Sequence, residues 1–84
     1  MRHAGEAALD GIEGVLAELR RLEGVREPRR GVFYRRSRAF LHFHEDPAGM
    51  FADVRRGGEW IRLPVDSERE RDQFLRVVKQ ALKE

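Results

Sequence analysis

Apolar residues in the first quarter of the chain recur at steps of three and four positions. They lie at Ala8, Leu9, Ile12, Val15, Leu16, Leu19 and Leu22, which places them on one stripe of a helix. Gly11 and Gly14 weaken this helix, each by about 1 kcal/mol relative to alanine. Gly24 suits the C-terminal end, and Pro28 prevents continuation. We therefore expect one amphipathic helix from Ala8 to Leu22, stabilised mainly by packing.

The end of the chain predicts a second helix. Ser67 and Glu70 match the capping box Ser-x-x-Glu, with Ser67 as the N-cap residue. The buried stripe of this helix comprises Phe74, Val78, Ala81 and Leu82, flanked by Leu75 and Val77. Two lysines near its C-terminal end complement the helix dipole.

Between the helices, apolar and polar residues alternate as they do in strands. The predicted strands are Val32–Arg35, Arg38–His44, Met50–Arg55 and Trp60–Leu63. Three turn signals separate them: Arg36-Ser37, Asp46-Pro47-Ala48-Gly49, and Gly57-Gly58. The second fits a type I turn, and the third is a usual two-residue hairpin loop.

These turns fix a register that can be tested against the side chains. The Gly57-Gly58 loop pairs Arg55 with Trp60, and the Pro-Gly turn pairs His44 with Phe51. A tight first hairpin pairs Tyr34 with Ala39, Phe33 with Phe40, and Val32 with Leu41. Because alternate residues of a strand share a face, one side of the sheet carries Val32, Tyr34, Ala39, Leu41, Phe43, Ala52, Val54, Ile61 and Leu63.

The resulting fold class is α+β. We expect a two-layer sandwich with the order α-β-β-β-β-α, in which a four-stranded antiparallel meander sheet packs both helices on its apolar face. With 84 residues the chain is long enough for one domain, spanning 1–84.

The side of the sheet that faces away from the helices, here called the open face, is where function is expected. Its predicted binding residues are the aromatic anchors Phe33, Phe40, Phe51 and Trp60, the charged Arg35, Arg55 and Arg62, and a polar centre of His42, His44 and Asp53. Apolar patches of this kind are uncommon on the surface of monomers. We therefore predict that something covers this face.

Composition narrows the function classes. The chain has no cysteine, no apolar run long enough to cross a membrane, and no hydrophobic signal core, so a cytoplasmic protein without membrane contact is expected. Residues 25–63 carry nine basic and five acidic groups, a net charge of +4, so the positive charge belongs to the sheet region. No nucleophile–base pair or phosphate-binding loop is present, so we expect no enzyme activity and no cofactor.

Three functions fit the open face. The first is a non-enzymatic binding or self-association module, with a homodimer covering the aromatic residues or the Arg26–Arg30 segment folding back over them. The second is single-stranded nucleic-acid binding, because aromatic rings stack on bases and arginines hold phosphates. The third is a divalent-metal site formed by His42, His44 and Asp53.

The metal alternative rests on strand geometry. His42 and His44 are two residues apart, so both point to one face, and Asp53 lies opposite His42. An aspartate in that place is also explained as part of a cross-strand charge ladder with Arg62. As such, Asp53 is expected to raise the pKa of His42. No role is expected for His3, which lies at the chain terminus.

The run from Ser37 to Gly49, with its core Phe-Leu-His-Phe-His-Glu-Asp-Pro-Ala-Gly, followed by Ala52-Asp53-Val54-Arg55, resembles a family of short bacterial hypothetical proteins. The resemblance covers about a fifth of the chain closely. The helix–sheet–helix order is also distantly similar to that of the YjbR and frataxin-like α+β proteins. These resemblances imply the fold and carry no activity with them.

Overall fold

The computed structural model describes every residue from Met1 to Glu84. Its elements are, in chain order, β1 (Arg2–His3), α1 (Glu6–Asp10), α2 (Glu13–Arg20), β2 (Val25–Arg29), β3 (Val32–Arg35), β4 (Arg38–Asp46), β5 (Gly49–Arg56), β6 (Glu59–Pro64) and α3 (Glu68–Leu82). One antiparallel sheet has the order β2-β3-β4-β5-β6, and β1 also pairs with β4. The α+β class is confirmed, and the four-strand count is wrong.

The first predicted helix is interrupted. Helix α1 ends at Asp10, and α2 begins at Glu13 after a turn through Gly11 and Ile12. Glycine is a poor helix former, and the turn allows both Leu9 and Ile12 to be buried. The two short helices therefore cover the sheet where one straight helix was expected.

Helix α3 begins as the sequence predicts. Ser67 accepts a hydrogen bond from the Glu70 backbone N–H at 3.1 Å, and the Glu70 carboxylate accepts one from the Ser67 N–H at 3.0 Å. This reciprocal pair satisfies two backbone donors that the helix itself leaves without partners. Phe74, Val78 and Ala81 are buried beneath the helix.

Strand β2 is an edge strand that the sequence pattern did not reveal. Arg26–Arg30 was an alternative cover for the open face, whereas Val25–Arg29 pairs with β3. The pairing is irregular between Arg26 and Arg29. Pro28 lies within this interval, and proline lacks the N–H that a regular ladder needs, so it is tolerated at an edge or a bulge.

Two of the three predicted registers are confirmed. Across β5 and β6, Arg55 pairs with Trp60 and Asp53 with Arg62. Across β4 and β5, His42 pairs with Asp53 and His44 with Phe51. The Gly57-Gly58 loop has φ angles of +60° and +85°, as a type I′ hairpin turn requires.

The third register is wrong beyond its first pair. Tyr34 pairs with Ala39 as predicted, but Phe33 then pairs with Leu41 and Val32 with His42, so Phe40 is an extra residue in a β-bulge. Phe33 is 1% exposed and Phe40 is 3% exposed. Burying each phenyl ring is worth about 1.5–3 kcal/mol, which exceeds the roughly 0.5–1.5 kcal/mol of one ladder hydrogen bond. Burial therefore decides the register.

This shift corrects several predicted positions. Phe33 and Phe40 belong to the core and not to the open face. Val32 and Tyr34, predicted beneath the helices, lie on the open face, because Val32 is opposite His42. Arg35 reaches the C-terminal end of α3, where its guanidinium donates to the carbonyls of Ala81 and Leu82, each at 3.1 Å.

The core lies between the three helices and one face of the sheet. Its buried apolar residues are Leu9, Ile12, Val15, Leu16, Leu19, Phe33, Phe40, Leu41, Phe43, Ala52, Val54, Val65, Phe74, Val78 and Ala81. None of the three helices combines the length and apolar character that crossing a membrane requires. All helices are on one side, so the open face carries no second layer.

The bulge predicts losses of stability of different size for two adjacent aromatic residues. Phe33→Ala should lower the free energy of unfolding by about 3–5 kcal/mol, because it leaves a cavity in the core. Tyr34→Ala, on the open face, should cost much less. Urea denaturation followed by circular dichroism measures both losses. A larger loss for Tyr34→Ala would contradict the bulge and favour the regular hairpin register.

Glu27 predicts a pH dependence of stability. Burial raises the pKa of Glu27, but hydrogen bonds from Arg20 and the Gly31 N–H outweigh it, so the pKa lies below the ordinary 4.5. The stability that this depressed pKa provides is present above the unfolded-state pKa and is lost as pH falls through the folded-state value.

Glu27→Gln should therefore destabilise the protein at neutral pH, and the difference from wild type should shrink at an acidic pH below the folded-state pKa, where Glu27 is protonated. Urea denaturation at both pH values tests this. Glu23→Gln, which removes the same charge from an exposed position, is the control. A difference that persists unchanged in acid would contradict the expected role of the carboxylate.

Candidate metal centre

Three histidines meet at one corner of the open face. His42 and His44 alternate on β4 and so share a side of the sheet. His3 on β1 is directly opposite His44. Strand β3 pairs with β4 only as far as His42. Strand β1 pairs with the next part of the same edge of β4, at His44 and Glu45. The pairing of β1 with β4 thus brings His3 beside His42 and His44. We call these three imidazoles the histidine cluster.

The distances within the histidine cluster suit a single ion. The ring centroids are 4.7 Å apart for His42 and His44, 5.0 Å for His3 and His44, and 5.5 Å for His3 and His42. One nitrogen of each ring lies within 4.8 Å of the others. Three nitrogens on a tetrahedral Zn²⁺ are about 3.4 Å apart, given Zn–N bonds of about 2.0–2.1 Å. Binding of one ion would therefore require the three nitrogens to move closer together.

His42 carries a nitrogen with no partner in the protein. Its Nδ1 is shielded from solvent and has no hydrogen bond. Such a buried polar atom costs free energy unless something binds it. The Trp60 ring packs against this imidazole, with centroids 4.8 Å apart.

The surroundings keep His42 neutral. Burial, followed by the charge of neighbouring His44, lowers the pKa of His42 below 6.5, and the opposing effect of Asp53 is smaller. Asp53 does act to raise this pKa, as the sequence predicts, but burial and His44 outweigh it and the net shift is downward. A neutral imidazole is the form that binds metal ions.

Asp53 forms the cross-strand ion pair with Arg62 that the sequence offered as the alternative to a metal ligand. It is 7% exposed, and both its oxygens accept from Arg62, Oδ1 from Nε at 2.8 Å and Oδ2 from Nη2 at 2.9 Å. This hydrogen bonding, with the charge of Arg62, holds the pKa of Asp53 below its ordinary value although burial opposes it. The Asp53 carboxylate is therefore ionised, and both of its oxygens already accept hydrogen bonds from Arg62.

The same carboxylate orients an imidazole. His44 Nε2 lies 3.0 Å from Asp53 Oδ2. A carboxylate that accepts the N–H of one ring nitrogen leaves the other nitrogen as the metal donor, an arrangement common around metal-binding histidines. The candidate ligand set therefore consists of His3, His42 and His44, with Asp53 as the outer partner of His44, and it differs from the predicted set of His42, His44 and Asp53.

The remaining predicted site residues divide between the two sides of the sheet. Phe51 and Trp60 lie on the open face by their pairing with His44 and Arg55. Arg55 packs over Trp60, with its Cζ 4.4 Å from the ring centroid. Phe33 and Phe40 are buried in the core, and Arg35 reaches around the turn end of the sheet to the C-terminal end of α3, so none of the three belongs to the histidine cluster.

Sequence reasoning missed His3 for a physical reason. A strand of only Arg2 and His3 has no periodicity to detect, and its position is set by hydrogen bonding across to β4. The Ala4 N–H donates to the Phe43 carbonyl at 3.0 Å. The Glu45 carboxylate accepts from the Gly5 N–H at 2.7 Å and from Arg2 at 3.1 Å.

Comparison with known proteins adds no relative: no family model, no curated protein and no solved structure matches the chain. The site's own chemistry must therefore carry the functional inference.

The Arg62–Asp53 pair yields a prediction about stability. Arg62→Ala should lower the free energy of unfolding, because it leaves the buried Asp53 carboxylate without its fork of donors. The double variant Arg62→Ala/Asp53→Asn should lose less than the sum of the two single changes. Urea denaturation of all four proteins gives the coupling, and strictly additive losses would show that the pair does not act together.

Proposed function

We propose that the protein is a non-enzymatic binding protein whose open face holds a divalent transition-metal ion through His3, His42 and His44. The observations that carry this proposal are the convergence of three imidazoles, with one nitrogen of each within 4.8 Å of the others, and the buried Nδ1 of His42, which has no partner in the protein. The ion would give that nitrogen its missing partner, and Asp53 would hold His44 in the binding orientation.

The donor set favours transition metals over alkaline-earth ions. Imidazole nitrogen suits Zn²⁺, Cu²⁺ and Ni²⁺, whereas Mg²⁺ and Ca²⁺ take oxygen ligands. The nearest carboxylate, Asp53, is occupied by Arg62. Three protein nitrogens leave a fourth position of a tetrahedral ion free on the solvent side.

The structure gives less support to self-association through aromatic residues. Two of the four predicted anchors, Phe33 and Phe40, are buried in the core, and the large exposed hydrophobic residues are Met1 and Trp60. A stable interface between proteins buries about 800 Å² on each partner. The apolar area that remains on the open face is a weaker basis for a homodimer than the sequence suggested.

The test is titration of the purified, chelator-treated protein with Zn²⁺ in a calorimeter. We expect one ion per chain. His42→Ala and His44→Ala should each weaken binding by more than about 100-fold, since removal of an outer-shell partner alone costs about 10–100-fold. Asp53→Asn should fall in that smaller range, because it disturbs only the orientation of His44.

Trp60 offers a second readout. It is the chain's single tryptophan, and its ring packs on His42, so Cu²⁺ or Ni²⁺ in the histidine cluster should quench its fluorescence. Asp72→Asn, an exposed acidic position on α3, is the control and should change neither signal. Zn²⁺ binding that is equally strong in a variant with all three histidines replaced by alanine would overturn the proposal, as would the absence of binding.

A further inference from the structure

A second group of residues on this molecule is unrelated to the histidine cluster. At the end of the sheet where the β3–β4 and β5–β6 turns lie, four arginines surround a shallow depression of about 130 Å³. They are Arg35, Arg36, Arg38 and Arg55, and the rest of the lining is Ala39, Phe40, Gly57 and Gly58. No carboxylate lines it. We call this feature the arginine depression.

The arginine depression keeps its positive charge because Arg36, Arg38 and Arg55 form no ion pairs, while Arg35 donates to the backbone oxygens of Ala81, Leu82 and Glu84. The chain's other arginines include three that are neutralised: Arg20 by Glu13 and Glu27, Arg30 by a group of helix carboxylates, and Arg62 by Asp53. Arg36 and Arg38, in contrast, are exposed and lie in none of the chain's ion pairs. Their donors are therefore available to an anion.

Two of the four guanidinium groups are fixed in place. Arg35 donates to the carbonyls at the end of α3. Arg55 donates to the Ala39 carbonyl at 2.9 Å and stacks on Trp60. A guanidinium held in this way loses little conformational entropy when it binds a phosphate oxygen, so it favours planar, bidentate recognition.

An exposed aromatic ring lies beside the arginine depression. Trp60 is 41% exposed, and the guanidinium of Arg55, which lines the depression, packs over its ring. On the same face, toward the β2 edge of the sheet, Arg26 lies over Tyr34, with its Cζ 5.2 Å from the ring centroid. Tyr34 pairs with Ala39, which lines the depression. Aromatic rings and arginines thus alternate across this end of the open face.

We infer that this end of the open face binds single-stranded nucleic acid, with a backbone phosphate in the arginine depression and a base stacked on Trp60. The inference goes beyond metal binding and does not depend on it. Free guanidinium donors match the phosphate charge, and an exposed indole beside them matches the face of an unpaired base. Bases in a duplex are already stacked on each other, so a single strand is the form that fits.

The experiment measures binding of a fluorescein-labelled oligothymidylate by anisotropy, using chelator-treated protein, over a series of salt concentrations. Quenching of Trp60 fluorescence by the unlabelled oligonucleotide reports base stacking. We expect affinity to fall with salt by about 0.7 log units per log unit for each phosphate contact. Trp60→Ala should weaken binding about tenfold, and Trp60→Phe should restore most of the loss.

The charge contribution has a matched control. Arg36→Gln/Arg38→Gln should lower the salt slope by about 1.4, corresponding to two lost contacts at about 0.7 each. Arg69→Gln/Arg76→Gln removes the same charge from exposed positions on α3 and should leave the slope nearly unchanged. Because the replaced side chains are exposed, each variant should retain the fold, and circular dichroism checks this.

The possible results separate clearly. A lower slope for the Arg36/Arg38 variant alone, with Trp60 quenching, supports the inference. Equal effects of the two double variants would reveal unspecific charge attraction and overturn it. Binding of a polyglutamate peptide as tight as that of the oligonucleotide, without Trp60 quenching, would assign the surface to acidic proteins instead. Absence of binding at about 50 mM salt, where phosphate contacts are strongest, would also overturn it.

Discussion

The antiparallel pairing of β4 with β5 is the constraint from which both the core and the open face follow. From Leu41–Val54 to Asp46–Gly49 the register is uninterrupted. A one-residue shift that turns β4 over would expose Leu41 and Phe43 to solvent and bury His42 and His44, and one that turns β5 over would bury Asp53 beneath the helices. Burying an ionised carboxylate without a partner costs several kcal/mol. The register that closes the core is thus the one that displays the imidazoles.

Sequence reasoning reached the parts of the fold where local chemistry and burial agree. The Gly57-Gly58 and Pro47-Ala48 turns and the Ser67–Glu70 cap each specify one geometry, so the pairings around Asp53 and the start of α3 could be predicted. The first hairpin could not, because its Arg36-Ser37 turn is weak and the decisive factor is the burial of Phe40 by distant helices. Strand β1 is stabilised by long-range hydrogen bonds to β4, which leave no pattern in its two residues.

The same distinction explains the site. The predicted polar centre on the open face lies where the sequence placed it, since it depends on the confirmed β4–β5 and β5–β6 registers. Two of the four predicted aromatic anchors, Phe33 and Phe40, lie in the core instead, because their positions depend on the hairpin that contains the bulge. His42 and Trp60 remain neighbours, so the two proposed binding regions adjoin at one indole ring, with imidazoles on one side and guanidinium groups on the other.

The position of His3 has a mechanical consequence. It lies on a two-residue strand near the chain terminus, whereas His42 lies in the centre of the sheet. An ion bound to both would act as a cross-link in a chain that has no cysteine. Enclosing about 40 residues by such a link restricts the unfolded chain by an amount equivalent to about 4 kcal/mol for a disulfide. The metal would then fasten the start of the chain to the sheet, so that local opening of this segment and release of the ion become a single event.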